Sequence, residues 1–255
     1  MTATLPRTVH VEHCMGTVFS IDVRDPGDWT GAIADVVAWL RHVDAVFSTY
    51  RADSDLSRMR RRELRPADAD PDVAVVLDLC ASVQQETGGH FSALSGGTVD
   101  PTGLVKGWAV EEASRRLRRH GSANHAVNGG GDIQLAGGAG PGREWTVGIA
   151  DPHDRTRVLT TVSGRDLAVA TSGTAERGTH LTDPFTGRPV THLASATVTG
   201  PSLTRVDAYA TAAFVLGRAG LAWIDTLPGH AALLVDPAGQ LHPSHGWPDQ
   251  RPSRS

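Results

Sequence analysis

The sequence predicts an α+β protein in which mostly antiparallel sheet is flanked by helices. The second half of the 255-residue chain is dense in short apolar stretches typical of strands, at residues 145–150, 157–163, 167–171, 195–199 and 231–235. Residues 28–47 instead repeat their apolar side chains with the helical period. The glycines of Asn128-Gly-Gly-Gly-Asp132 precede a strand and not a helix, which excludes the dinucleotide fingerprint of a doubly wound fold. These observations together favour an antiparallel sheet.

The first elements are two strands and two helices. Residues 8–24 alternate apolar and polar side chains and break at Gly16, which predicts two strands joined by a turn. The helix at 28–47 is expected to end in a polar, solvated loop that includes the basic run 58–65. Asp70-Pro71 has the residue types of a helix N-terminus, and the helix that they begin is expected to end at Gly88.

The remaining elements begin with a loop that leads into a helix at Asp100-Pro-Thr-Gly103. Such glycines let the backbone approach a ligand, and the amides of a helix start favour an anion. Lys106 adds a point charge that suits phosphate, although the spacing is not that of a Walker loop. Helices at 204–217 and 221–227 follow the strands. We predict one domain over residues 1–236 and a loosely ordered tail over 237–255.

Composition limits the classes of function. The hydrophobic content of 40% and the net charge of −4 are typical of a globular protein without a nucleic-acid partner. The longest apolar runs are too short for membrane insertion, and the N-terminus lacks the apolar core of a signal peptide. We therefore expect a cytoplasmic protein.

Three groups of residues carry candidate chemistry. His180 and Asp183 lie in a proline–glycine turn and have the chemistry of a general base, although a purely structural turn is the alternative. Asp207 and Thr211 share a helix face, and their oxygen atoms suit Mg²⁺. Their alternative roles are an acid favoured by the helix dipole and a hydroxyl bonded back to a carbonyl. Tyr50 has the shape to stack on a flat ring or to cover the edge of the core.

Seven segments, in this order, resemble the ApbE family of FAD:protein FMN transferases. They are Met15-Gly-Thr17, Ser48-Thr-Tyr50-Arg51 with Ser54-Asp55-Leu56-Ser57, Asp100–Val110, Asn128–Asp132, Thr171-Ser-Gly173, His180–Val190 and Asp207-x-x-x-Thr211. The resemblance implies an α+β fold of the tunnelling (T-fold) type with FAD in a cleft. It also implies a reaction in which FMN moves from FAD to a Ser or Thr hydroxyl of an acceptor protein, forming a phosphoester and releasing AMP.

The resemblance further implies roles for individual residues. Mg²⁺ would be held by Asp207, Thr211 and the Gly103 carbonyl. FAD would contact Met15, Tyr50, Asp100, Lys106 and Thr182. His180 would be the base with Asp183 as its orienting group, or the two roles would be reversed.

One segment departs from the family. Many members carry Phe-Asp-x-Thr where this chain has Phe91, Ser92 and Ala93, which we include among the cofactor-binding residues. Two alternatives to the transferase remain: a Mg²⁺-dependent FAD pyrophosphatase that transfers FMN to water, and a non-catalytic FAD-binding protein. The acceptor is expected to be a protein with an FMN-binding domain that carries the Ser or Thr.

Overall fold

The computed structural model describes residues 7–95, 98–173 and 181–248. The strands are β1 (Thr8–Cys14), β2 (Thr17–Val23), β3 (Leu94–Ser95), β4 (Thr98–Val99), β5 (His125–Gly129), β6 (Asp132–Ala136), β7 (Trp145–Ala150), β8 (Val158–Gly164), β9 (Ala168–Gly173), β10 (Ser195–Gly200), β11 (Ala231–Val235) and β12 (Leu241–Pro243). The helices are α1 (Thr30–Phe47), α2 (Asp55–Arg60), α3 (Pro71–Glu86), α4 (Thr102–Arg119), α5 (Leu203–Leu216) and α6 (Ala219–Ile224).

Eight strands form one sheet in the order β1-β2-β5-β6-β9-β10-β11-β12, and every neighbouring pair is antiparallel. Two further antiparallel pairs, β3–β4 and β7–β8, form separate ribbons. The predicted α+β architecture with a mostly antiparallel sheet is therefore confirmed.

Two tight turns in the sheet depend on residues with positive φ. Met15 and Gly16 join β1 to β2 with φ values of 53° and 68°. Gly130 and Gly131 join β5 to β6 with φ values of 62° and 103°. Positive φ at both central residues is the geometry of a two-residue hairpin turn. The break at Gly16 and the glycine bend were both predicted from the sequence.

The sheet separates two apolar cores. Alternate residues of β9 show this, because Ala168 and Ala170 belong to the main core and Val169 belongs to the second core. The main core packs α1, α3, α4 and α5 against the sheet. The second core lies under the β7–β8 ribbon, where Trp145 and Val162 pack on the sheet. The antiparallel sheet is thus covered on both faces around β9.

Two segments differ from the sequence-based expectation. The predicted solvated loop contains α2, because the Ser54 hydroxyl accepts the Ser57 amide at 3.1 Å and donates to the Ser48 carbonyl at 2.6 Å. The predicted loose tail contains β12, which pairs with β11, and the Ser244 hydroxyl accepts the Ala232 amide at 2.9 Å. Backbone groups at the edge of β11 thereby gain partners. Residues 249–255 of that tail lie outside the described residues.

Among the residues that the structure describes, we find no helix with the length and apolar character needed to cross a membrane.

Candidate functional site

Two clefts adjoin at the N-terminus of α4. The hairpin cleft, of about 430 Å³, is bordered by the β1–β2 turn, the end of α1 and Tyr50. The helix cleft, of about 210 Å³, is bordered by the start of α4, the end of β9 and the inner face of α5. Thr102 and Lys106 line both clefts. A ligand with two flat halves joined by a linker could therefore occupy both clefts and cross α4 at these two residues.

The three predicted metal ligands all line the helix cleft. Asp207 on α5 is buried, and its Oδ2 accepts the backbone N–H of Gly107 at 3.0 Å. Thr211 lies one helical turn further along, with its hydroxyl 3.0 Å from the Ser172 hydroxyl on β9. Gly103 lies on the first turn of α4 and completes the set.

A glycine on α4 makes this arrangement possible. A Cβ atom at Gly107 would lie 2.7 Å from the Leu203 carbonyl oxygen and 2.8 Å from the Asp207 Cβ. In a regular helix the amide of residue 107 bonds to the carbonyl of residue 103, so the Asp207 carboxylate meets α4 where Gly103 lies. The donor set consists of oxygen atoms, and this chemistry fits Mg²⁺.

Lys106 forms an ion pair with a buried acid. Its ammonium contacts Oδ2 of Asp132, the first residue of β6, and the Asp132 side chain is only 1% exposed. The other carboxylate oxygen accepts the backbone N–H of Thr171 at 3.1 Å. The predicted phosphate-binding lysine is therefore held at the junction of the two clefts.

Asp100, predicted to bind the flavin nucleotide, lies in the helix cleft and already has partners. Its Oδ1 accepts the backbone N–H and the hydroxyl of Thr102, the first residue of α4, at 3.2 and 2.7 Å. Its Oδ2 lies 3.0 Å from the guanidinium of Arg60 on α2. Sequence reasoning missed Arg60, which we had assigned to a solvated basic loop.

Met15 and Tyr50 line the hairpin cleft, where the resemblance predicts the flavin rings. Met15 is partly buried against the main core. The Tyr50 side chain is 85% exposed, which excludes the alternative that it covers the edge of the core. An exposed aromatic ring beside a cleft is suited to stacking on a flat ligand.

Of the three predicted cofactor-binding residues at positions 91–93, two line the helix cleft and the third does not. Phe91 and Ser92 line the helix cleft, and the Ser92 hydroxyl accepts the Leu94 amide at 3.1 Å. Ala93 is buried in the main core, and its carbonyl accepts the Asp100 amide at 2.7 Å. Ala93 therefore supports Asp100 through the backbone.

Of the predicted base and its orienting group, the structure describes only Asp183. His180 lies outside the described residues. The Asp183 carboxylate accepts the Phe185 amide at 2.8 Å, and this hydrogen bond, followed by bonds from Thr186 and the charge of His90, lowers its pKa. Asp183 thus caps its own turn.

Further residues around the helix cleft include Thr182 and His90. Thr182, predicted to contact FAD, lines it and forms a bridge to Pro189. His90 also lines it, and its ring packs edge-on against Phe185 at a centroid distance of 5.1 Å. Sequence reasoning missed His90, Ser172 and the role of Asp132. The only signal for the last two was their place in the Thr171-Ser-Gly173 and Asn128–Asp132 segments.

A second group of acids and a histidine lies elsewhere, at the start of α3. The His42 Nε2 is 3.0 Å from Asp72 and 3.7 Å from Asp70. Asp70 caps α3 by accepting the Asp72 amide at 2.9 Å. Neither the hairpin cleft nor the helix cleft includes these residues, and His42 and Asp72 border a separate open cleft. The Asp70 cap and the His42–Asp72 hydrogen bond account for the contacts within the group.

The sequence model of the ApbE family matches residues 15–100 and 92–234. An FAD:protein FMN transferase of Treponema pallidum is 34% identical over 177 residues, which cover 62% of this chain and 49% of that protein. The Vibrio cholerae protein with the same description is 27% identical over 266 residues and 80% of each chain. The crystal structure of Pseudomonas stutzeri flavinyl transferase ApbE has the same fold, with a TM-score of 0.80 and 24% identity. The match covers 96% of this chain and 97% of that one.

Proposed function

The chain belongs to the ApbE family, and from this membership we propose that it is an FAD:protein FMN transferase. In the proposed reaction, a Ser or Thr hydroxyl of an acceptor protein attacks the phosphorus on the flavin side of the FAD diphosphate. The bond from that phosphorus to the bridging oxygen breaks, AMP leaves, and FMN remains on the acceptor through a phosphoester. The hydroxyl proton passes to a base.

The observation that carries this proposal is that one cleft is lined both by oxygen ligands and by a lysine. Asp207 and Thr211 line the helix cleft, and Lys106 lies where this cleft joins the hairpin cleft. A diphosphate bears two negative charges, which must be neutralised before an oxygen nucleophile can approach phosphorus. Bound Mg²⁺, held by Asp207, Thr211 and the Gly103 carbonyl, would supply most of that neutralisation.

The chain's own residues perform the remaining steps. Tyr50 and Met15 bind the flavin rings in the hairpin cleft, and this fixes the position of the attached phosphate. Asp100, Phe91, Ser92 and Thr182 border the helix cleft, where the adenosine half lies. We assign the base to His180, since an imidazole has a pKa suited to accepting a hydroxyl proton near neutral pH. Asp183 is its proposed orienting group.

The test combines purified protein, FAD and Mg²⁺ with an acceptor domain that carries a Ser or Thr. We expect the acceptor to gain the mass of one FMN and an equal amount of AMP to appear, and we expect chelation of the metal to stop both. Replacing the acceptor Ser or Thr with alanine is the matched control. Release of AMP without an adduct would instead support the pyrophosphatase, and bound but intact FAD would support the binding protein.

A further inference from the structure

Among the described residues, Asp132 is the most deeply buried acid next to the two clefts, although it lines neither of them. One carboxylate oxygen contacts the ammonium of Lys106, and the other accepts the Thr171 amide. A buried carboxylate is costly unless it is paired and hydrogen-bonded, and both conditions are met here. Lys106 is the member of the pair that reaches the clefts.

The β5–β6 turn places Asp132 under α4. Gly129, which pairs with Asp132, lies so close to its neighbours that a Cβ atom would be 2.7 Å from both Phe19 and Val110. The Asn128 side chain accepts the Gly131 amide at 2.9 Å and closes the turn. The carboxylate is therefore attached to a backbone that cannot shift away from the helix without disturbing the core.

A lysine ammonium lies at the end of a flexible four-carbon chain and adopts many rotamers unless a partner restricts them. Asp132 supplies such a partner from beneath, so the ammonium remains at the junction that both clefts share. In the proposed reaction, the diphosphate of FAD joins a flavin half in one cleft to an adenosine half in the other. It must cross this junction.

We propose that Asp132 is a positioning residue that holds Lys106 against the FAD diphosphate. This inference rests on the proposed function. It assigns Asp132 a role through Lys106 and without direct contact with FAD.

The test is a double-mutant cycle of Asp132→Asn and Lys106→Met, read by binding of FAD and of riboflavin, which has the rings but no phosphate. Asparagine keeps an oxygen that can accept the Thr171 amide, so the substitution removes the charge and leaves the hydrogen bond. We expect D132N to weaken FAD binding by at least about threefold when Lys106 is present. In the Lys106→Met background, the same substitution should have no further effect. Riboflavin affinity should be equal in all four proteins.

Asp166→Asn is the matched control, because Asp166 also pairs with an α4 cation, Arg118 at 2.7 Å, but lies outside both clefts. It should leave FAD affinity unchanged. Equal losses from D132N in both backgrounds, a parallel loss of riboflavin affinity, or unchanged or tighter FAD binding would overturn the proposal. The cycle measures binding and needs no acceptor. It would therefore still test the role of Asp132 if the protein bound FAD but transferred no FMN. Failure of the wild-type protein to bind FAD would instead refute the proposed function.

Discussion

At the residue scale, Asp207 combines two tasks in one carboxylate. It is buried where α5 approaches α4, and it accepts the Gly107 amide while bordering the helix cleft. Sequence reasoning had left open whether this acid is a metal ligand or only a favourable charge near a helix start. Its position beside Gly103 and Thr211 supports the first interpretation.

We expect Asp207→Asn to reduce Mg²⁺-dependent release of AMP by about 100-fold, because loss of a metal-ligand charge weakens metal binding. The asparagine oxygen can still accept the Gly107 amide, so the melting temperature should change little. Asp78→Asn, on the exposed surface of α3, is the control and should retain full turnover. If AMP release by D207N kept its wild-type dependence on Mg²⁺ concentration, Asp207 would not be a ligand.

The roles of His180, three residues before Asp183 in the sequence, and of His90 can be distinguished by mutation. Loss of a general base typically slows a reaction by about 10² to 10⁴. We expect His180→Ala to slow FMN transfer in this range while FAD affinity is retained. His90→Ala should have a much smaller effect, because the His90 ring packs against Phe185. Rates of adduct formation at saturating FAD provide the measurement, and the opposite ranking would transfer the role of base to His90.

At the scale of elements, the contact between α4 and α5 determines the geometry of the helix cleft. We expect Gly107→Ala to destabilise the protein by about 1–3 kcal/mol, since the added methyl overpacks this crossing. The substitution should also reduce Mg²⁺-dependent turnover, because Asp207 is displaced from Gly103.

Gly31→Ala on α1 is the matched control for that substitution. No atom lies within 4 Å of the added Cβ, and alanine is the better helix former. Urea unfolding should show a slightly more stable protein with normal turnover. Equal stability of the Gly107 and Gly31 variants would mean that the two helices can separate at little cost.

A buried histidine joins α4 to β5. The two His125 ring nitrogens lie 2.8 Å from the hydroxyls of Ser114 and Ser122. Burial, reinforced by the charge of Arg118, lowers the pKa of His125 from 6.5 to about 4, against the opposing effect of Asp25. The unfolded chain therefore binds a proton at higher pH than the folded chain.

The consequence is a loss of stability in acid. The contribution of neutral His125 is complete above pH 6.5 and decreases as the pH falls towards 4, by about 3 kcal/mol in total. The difference in unfolding free energy between wild type and His125→Gln, measured with urea at several pH values, should follow this curve. A difference that does not change with pH would show that the folded protein accepts the proton as readily as the unfolded chain.

At the scale of the whole molecule, the two clefts bring together elements from both ends of the chain. The β1–β2 turn and α1 border one cleft, β9 and α5 border the other, and α4 borders both. A ligand that spans them therefore stabilises the folded state as a unit.

We expect FAD with Mg²⁺ to raise the free energy of unfolding by about 2.7 kcal/mol at a free FAD concentration of 100 times its Kd. Thermal unfolding with FAD, Mg²⁺ or both should show the largest shift for the pair, and a chelator should remove the contribution of the metal. At the same free concentration, riboflavin should give a smaller shift, because it lacks the diphosphate and binds less tightly. An equal shift with riboflavin would mean that contacts with the diphosphate at the junction contribute nothing to the binding free energy.

The order of the main elements and the α+β class follow from the sequence because hydrophobic period, caps and turn residues are local signals. The Met15-Gly16 and Gly130-Gly131 turns were predicted in this way. The elements that the sequence analysis omitted include the short strands β3 and β4, and also α2 and β12. The reasons are clearest for α2 and β12. Helix α2 depends on its Ser54 cap, and the adjacent basic run favours the interpretation of this segment as a loop. Strand β12 is three residues long and forms because β11 provides a pairing partner.

For the candidate site, sequence alone determined that Asp207 and Thr211 share a helix face, because residues four apart on a helix always do. Only the tertiary structure decided that this face meets Gly103, since the absence of a side chain at Gly107 lets α5 come close. It also decided that Lys106 pairs with Asp132 across two elements. Contacts of this kind depend on how distant segments pack, and no local pattern in the sequence encodes them.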